Sequence, residues 1–258
     1  MCETTNEREI YGLTGYPLGH SFSRRFFNER FAAEGRNAEY VNFEIEDIAR
    51  LPEIVASERG LRGMNVTIPY KEAVIPYLDE LDETARRIGA VNVIRFIREG
   101  ERLRLKGYNS DIVGFTGSIR PLLRPGHRRA LILGTGGASK AVRLGLEMLG
   151  IVPVFVSRTP RPGQLSYGEL TAEVLAGHTV IVNSSPVGMH PHPEVCPDIP
   201  YGFLSPDHLL YDLIYNPEET LFMRRGREMG AVVKNGLEML QRQALAAWDI
   251  WQLDNNDL

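Results

Sequence analysis

The stretch at positions 130–150, ALILGTGGASKAVRLGLEMLG, decides the fold. The apolar run Ala130, Leu131, Ile132, Leu133 flows straight into Gly134, Gly136 and Gly137, and a helical stretch follows. Strand, glycine turn and helix together open a dinucleotide-binding βα unit. Gly134 permits the tight turn, and Gly136 lets the backbone approach a pyrophosphate. Ser139 stands at the third small position of the fingerprint. The helix that starts there points backbone N–H groups at phosphate oxygens. A glycine turn alone is also compatible with a purely structural role; the strand before it and the helix after it supply the required context.

The next strand distinguishes the two dinucleotides. In PVFVSRT, at 153–159, the strand runs out into Ser157, Arg158 and Thr159, with Arg161 beyond. An acid here would hold a ribose 2′-hydroxyl, as NAD binding requires. None is present, and a guanidinium suits a 2′-phosphate because it is planar, permanently charged and bidentate. Arg158 could otherwise be a solvated loop residue; the missing acid favours NADP.

Outward from this unit, short apolar strands alternate with helical stretches. Strands are expected at 10–14, 40–43, 63–66, 91–96, 103–106, 154–156, 179–183 and 209–213, with helices at 23–34, 71–77 and 114–123. This alternation predicts an α/β layer fold with a mostly parallel sheet. The pattern restarts near residue 112. Two domains follow: residues 1–112 plus 235–258 as an N-terminal α/β substrate domain, and 113–234 as a C-terminal Rossmann-type NADP-binding domain. In the last segment Leu237, Leu240, Ala244, Ala247, Trp248 and Trp251 share one helical face, so the C-terminal helix should pack back on the first domain.

Composition narrows the function. Of 258 residues, 43% are hydrophobic and 24% charged, which excludes a disordered or fibrous chain. A net charge of -4 gives no basic footprint for nucleic acid. No apolar run approaches the ~20 residues of a membrane span, and MCETTNEREI lacks the layout of a signal peptide. Two cysteines, Cys2 and Cys196, make no disulfide framework and agree with a reducing, cytoplasmic setting. The expected partner is a small-molecule substrate, with the chain a monomer or homodimer.

Four polar groups fall at strand ends or the turns after them, where open α/β sheets place ligand contacts. They are SFS at 21–23, NVTIPYK at 65–71, GAVN at 89–92 and GYNSD at 107–111. Singly, each reads as a turn or a cap, since Ser21, Asn65 and Asn109 all have capping chemistry. Together they form a set of hydroxyls and amides suited to a small polyhydroxylated ligand. Oxidising a secondary alcohol needs an acid–base group within reach of the hydroxyl proton. Lys71 is the candidate, and its cation would stabilise a developing alkoxide. Burial disfavours a lysine cation and a neighbouring carboxylate favours it. Without further context, Lys71 reads equally as a surface residue after a turn and Asp111 as a helix cap.

These blocks, with SRT, NSSPVGM at 183–189, YDLIYNPEET at 211–220 and NGLEMLQRQ at 235–243, resemble the shikimate dehydrogenase family in chain order over nearly the whole length. The resemblance implies NADP-linked interconversion of 3-dehydroshikimate and shikimate in aromatic amino acid biosynthesis. It implies Lys71 and Asp111 as the catalytic pair. Ser21, Ser23, Thr67, Asn92, Asp111 and Gln243 would hold the substrate, with Tyr215 nearby. Gly134, Thr135, Gly136, Gly137, Ala138 and Ser139, then Ser157, Arg158, Thr159 and Arg161, would hold NADP. Glu83, Leu213 and Gly236 would border it. Several positions depart from the pattern: Ser110 and Val93 replace the usual Thr, Ser157 replaces Asn, and Arg24 replaces a common Pro. Arg161 sits one place early, so Arg158 carries the stronger claim on the 2′-phosphate. Paired serines at Ser21 and Ser23 favour shikimate over quinate. A broader quinate/shikimate enzyme, or a non-catalytic NADP-binding sensor, are the alternatives; retention of both Lys71 and Asp111 argues against the sensor.

Three features carry no function in this reading. His190, His192 and Cys196 are interleaved with prolines and show no compact pair of ligand pairs, so no metal is expected. Arg224, Arg225 and Arg227 read as a solvated helix face. Trp248 and Trp251 read as helix-packing residues.

Overall fold

The computed structural model describes residues 8–19 and 22–253. The chain divides into two compact units, residues 1–110 with 244–258, and residues 111–243.

Unit 1 contains β1 (Glu9–Gly15), α1 (Phe22–Ala33), β2 (Ala38–Glu44), α2 (Leu51–Ser57), β3 (Leu61–Val66), β4 (Glu80–Leu81), α3 (Glu83–Ile88), β5 (Val93–Glu99) and β6 (Arg102–Tyr108). They form a six-stranded sheet in the order β2-β1-β3-β5-β6-β4. β1 is parallel to β2 and β3, whereas β5 runs antiparallel to both β3 and β6. β4 is parallel to β6, so five of the six strands run the same way and β5 alone is reversed: the sheet is mostly parallel, with one antiparallel strand. The cause is a hairpin: Glu99 pairs with Arg102, and Gly100 takes a φ of 62°, which a two-residue turn between antiparallel strands requires.

Residues 71–77 also depart from expectation. They form turns and a short 3₁₀ segment, Ile75–Tyr77, instead of an α-helix. Pro76 explains this, since a proline has no N–H to continue an α-helical ladder and its ring crowds the carbonyl four residues back.

Unit 2 contains α4 (Asp111–Ile119), β7 (Arg129–Leu133), α5 (Gly137–Met148), β8 (Val152–Val156), α6 (Ala172–Gly177), β9 (Val180–Asn183), β10 (Leu209–Asp212), α7 (Leu221–Glu228), β11 (Val232–Lys234) and the first part of α8 (Leu237–Gln252). Its five strands are all parallel, in the order β11-β10-β9-β7-β8. Every residue of β9 and β10 is buried, as a sheet covered by helices on both faces demands. Side chains alternate between two cores. Ala130, Ile132, Val180, Val182, Leu209 and Tyr211 face α4 and α5; Leu131, Leu133, Ile181 and Leu210 face Leu175 and Phe222 of α6 and α7. β7 comes first in the chain, with β8 on one side and β9 on the other. The strand order reverses there, and such a switch point opens a crevice at the carboxyl ends of the strands.

The helix α8 divides between the units. Met239 belongs to the unit 2 core, while Ala244, Ala247, Trp248 and Trp251 pack with Tyr11, Phe27, Phe31 and Tyr40 of unit 1. Only its second half packs back on the first unit, and the units divide at 243/244. The first half is held to α4 by Gly114, where a Cβ would lie 2.5 Å from the Met239 carbonyl oxygen. Among the described residues, no helix is long and apolar enough to cross a membrane.

Candidate active site

In unit 2 the glycine turn leaves β7 at the switch point. Gly134 has a φ of 106°, and a Cβ there would come within 3.2 Å of the Ser185 backbone nitrogen. Only glycine combines that backbone with that approach. Gly136 caps α5 without a side-chain bond, and a Cβ there would meet nothing within 4 Å. The cap of this 12-residue helix therefore has open space beside it. Thr135 is exposed, and Gly137 and Ala138 are half-buried in the first turn. Ser139 behaves differently: it is fully buried, and its hydroxyl donates to the Gly136 carbonyl at 2.6 Å. Its side chain shapes the turn rather than facing outward.

Past β8, the loop folds back on itself. Ser157 N–H donates to the Leu165 carbonyl at 2.9 Å, and Leu165 N–H to the Phe155 carbonyl at 2.9 Å. Within the loop, Ser157 Oγ accepts from Thr159 N–H at 3.2 Å, and Gln164 Oε1 accepts from Arg161 N–H at 3.1 Å. Arg158, Thr159 and Arg161 are exposed on it. The Arg158 charge reaches Tyr167, where it partly offsets the upward push of burial on the phenol.

The ends of β9 and β10 are braced by a carboxyl that the sequence reading passed over. Asp212 is fully buried. It accepts from Thr220 Oγ1 at 2.6 Å, from Ile214 N–H at 3.0 Å and from Asn183 Nδ2 at 3.1 Å. Asn183 in turn accepts from Ser185 N–H and Oγ, fixing the turn that Gly134 touches. Leu213 donates its N–H to the Asn183 carbonyl at 3.0 Å, and a Cβ at Gly236 would lie 2.0 Å from the Leu213 carbonyl oxygen. Leu213 and Gly236 are thus in backbone contact at the same strand ends. The signal for Asp212 was its place as the last residue of an apolar strand, which also fits an ordinary cap.

Burial pushes Asp212 up to about 6, against the lowering effect of its three hydrogen bonds. Its folded value therefore exceeds that of an unfolded carboxyl, near 3.9. Ionisation costs the fold stability as pH rises through that window, on the order of 3 kcal/mol by pH 7. Asp212→Asn, which cannot ionise, is expected to gain in Tm relative to the native chain between pH 4 and 7. Parallel thermal melts check this; a Tm difference that stays flat over that range would contradict it.

In unit 1 the candidate substrate residues stand at the carboxyl ends of β1 and β3 and around β5 and β6. Lys71 is half-buried. Its carbonyl accepts from Val91 N–H at 2.7 Å, and Tyr70 before it donates its hydroxyl to the Ile45 carbonyl at 2.7 Å. Thr67 N–H donates to the Thr14 carbonyl at 2.9 Å, tying the ends of β1 and β3 together. Asn92 is buried and doubly engaged: Nδ2 donates to Ser110 Oγ at 3.0 Å, and Oδ1 accepts from Ser110 N–H at 2.7 Å. Ser110 precedes Asp111, so this clamp fixes the entry to α4. Ser23 lies in the first turn of α1, where its hydroxyl bonds Tyr40. Ser21 lies outside the described residues. Glu83 is exposed as the first residue of α3, whose cap is Asp82.

Asp111 opens α4 and is buried at 2% exposure. One turn on, Gly114 lets α8 approach, placing the would-be Gly114 Cβ 3.2 Å from Gln243 Cβ. Asp111 and Gln243 therefore sit on two helices in close contact. Tyr215, partly exposed, follows Leu213 beyond β10, and burial raises its phenol. Around His190, His192 and Cys196, the nearest polar contact of the histidines is His192 Nδ1 to Glu194 at 3.3 Å. No group of three or more metal-capable side chains occurs among the described residues.

A parallel doubly wound sheet with an open glycine turn at its switch point, joined to a second α/β unit rich in strand-end hydroxyls and amides, defines a nucleotide-linked oxidoreductase. Residues 13–94 match the family model for the shikimate dehydrogenase substrate binding domain. Two relatives are each named shikimate dehydrogenase (NADP(+)). The one from Symbiobacterium thermophilum is 38% identical over 94% of this chain and 88% of its own length. The one from Moorella thermoacetica is 39% identical over 97% and 90%. Among solved structures, shikimate 5-dehydrogenase from Thermus thermophilus, in complex with NADP(H) and shikimate, superposes with a TM-score of 0.82 at 29% identity, covering 95% of this chain and 93% of that one. The chain belongs to the shikimate dehydrogenase family.

Proposed function

We propose that the chain catalyses the reversible NADP-linked reduction of 3-dehydroshikimate to shikimate, a step of aromatic amino acid biosynthesis, with Lys71 and Asp111 handling the proton. The observation that carries this reading is the near full-length likeness to enzymes of that name, in a chain that keeps both residues.

The residues present fit NADP. An open helix start at Gly136 suits a pyrophosphate, and the end of β8 offers Ser157 and Arg158 where an NAD enzyme would carry an acid. NADP, when bound, supplies the hydride acceptor for oxidation of the alcohol. Lys71 takes the hydroxyl proton in that direction and returns it in the other. Asp111 orients Lys71 and binds the same hydroxyl. Ser21, Ser23, Thr67, Asn92, Tyr215 and Gln243 hold the remaining hydroxyls and the carboxylate. Arg158, helped by Thr159 and Arg161, would hold the 2′-phosphate, and Glu83, Leu213 and Gly236 would border the cofactor. The same reading makes the chain a cytoplasmic enzyme, monomeric or homodimeric.

A charge-assisted hydrogen bond contributes about 1.5–3 kcal/mol, so Arg158→Ala should cut the NADP-over-NAD preference in kcat/KM by roughly 10–100-fold. The loss should fall on NADP, with turnover of NAD unchanged. An unaltered preference would remove Arg158 from the 2′-phosphate site. The reading as a whole is tested by kcat/KM for shikimate and quinate, each with NADP and with NAD. The expected maximum is shikimate with NADP. Comparable values for quinate would make it the broader quinate/shikimate enzyme.

A further inference from the structure

Tyr40 sits in the middle of β2 and is fully buried. From sequence it reads as a core aromatic. Its ring does pack as one, stacked on Phe27 with centroids 4.9 Å apart and planes at 13°. Its main chain is clamped by one side chain of α1: Asn28 Oδ1 accepts from Tyr40 N–H at 2.8 Å, and Asn28 Nδ2 donates to the Tyr40 carbonyl at 2.9 Å. Neither contact uses the hydroxyl. A phenylalanine would fill the same space without the cost of burying a polar atom.

The hydroxyl has two partners. It donates to Asn65 Oδ1 at 2.8 Å, and it bonds the Ser23 hydroxyl. Asn65 carries the connection on, with Nδ2 donating to the Asn92 carbonyl at 3.1 Å. Asn92 then clamps Ser110, the residue before Asp111. One oxygen thus joins the first turn of α1 to the ends of β3 and β5. Burial keeps the phenol protonated, so it remains a donor to Asn65 across the working range of pH.

We propose that Tyr40 is a positioning residue for substrate, its buried hydroxyl fixing Ser23 directly and the Asn92–Ser110 clamp through Asn65. This rests on the reading above that Ser23 and Asn92 contact shikimate. Tyr40 itself does not touch substrate; it sets the rotamers of side chains that do. Networks of this kind couple their members, so deletions within one are not additive.

Tyr40→Phe removes one oxygen and leaves the ring stack and the Asn28 clamp in place. Asn65 Oδ1 loses a buried donor, and Ser23 is released to rotate. A lost buried hydrogen bond of this type corresponds to roughly 5–100-fold. The expected result is a fall of that size in kcat/KM for shikimate, carried mainly by KM, with KM for NADP within about twofold of the native value. A merely structural role would lower Tm and move both Michaelis constants together. A double-mutant cycle with Ser23→Ala provides the second measurement, and Tyr40→Phe should cost much less on the Ser23→Ala background. The inference is overturned by native kcat/KM for shikimate in Tyr40→Phe, by equal losses on shikimate and NADP, or by strict additivity in the cycle. Native protein that turns over shikimate beside an unaffected Tyr40→Phe would sink only this inference. Native protein with no turnover would sink the functional reading, and this inference with it.

Discussion

Lys71→Ala should lower kcat with shikimate and NADP by about 10²–10⁴-fold, the usual contribution of a positioned general acid–base group. KM for shikimate should change only modestly, because the interaction is strongest with the developing alkoxide rather than with the bound alcohol. The fold should survive. The Lys71 carbonyl bond to Val91 N–H and the Tyr70 hydroxyl bond to the Ile45 carbonyl, which help to hold this segment, do not use the Lys71 side chain; alanine keeps both. An unchanged Tm beside a collapsed kcat would therefore locate the loss in the chemistry. Normal turnover by Lys71→Ala would remove Lys71 from the mechanism and leave Asp111 without its proposed partner.

Trp251→Ala should instead cost stability. The indole lies among Tyr11, Phe27 and Tyr40, with ring centroids 5.0, 5.4 and 6.4 Å away. Its Nε1–H donates to the Ile94 carbonyl at 3.1 Å. It packs so closely on β3 that a Cβ at Gly63 would lie 2.3 Å from Nε1. Truncating a buried aromatic of this kind costs about 3–5 kcal/mol, because a cavity remains. At about 2–4 °C per kcal/mol for a chain of this size, Tm should drop by roughly 6–20 °C. The matching expectation is Gly63→Ala, which forces the indole away and should also destabilise unit 1. A Tm within about 2 °C of the native chain in Trp251→Ala would mean that the end of α8 contributes little to unit 1.

Unit 2 was the more legible half in sequence because its signals are local. The apolar run 130–133, the glycines after it and the helix beyond lie within one continuous stretch, and β9 and β10 are short unbroken apolar runs of the kind a buried parallel sheet requires. Unit 1 depended on non-local facts. The β5–β6 hairpin turns on the backbone angle of Gly100, and the strand pattern on either side of it fits a parallel or an antiparallel sheet equally well. The division of α8 follows from Gly114 admitting the Met239 carbonyl, a contact between residues far apart in the chain.

The candidate site shows the same contrast. Polar side chains at strand ends stand out in a sequence, so Lys71, Asn92 and Arg158 could be named as candidates. Tyr40 and Asp212 do not stand out, because Tyr40 lies inside a strand, where a tyrosine reads as core, and Asp212 ends one, where an aspartate reads as a cap. Their hydrogen bonds to Asn65 and to Asn183 and Thr220 exist only once the strands are aligned. Ser139 is the converse case. It matches the cofactor motif by position, yet its hydroxyl is spent on the Gly136 carbonyl.

The central claim is that this chain moves hydride between shikimate and NADP, and one measurement meets it directly. Purified protein is mixed with shikimate and NADP and the appearance of NADPH is followed by its absorbance, with NAD in place of NADP as the comparison. Steady NADPH formation that depends on shikimate and is far slower with NAD is the expected result. No NADPH above the enzyme-free rate, with the protein shown to be folded, would contradict it.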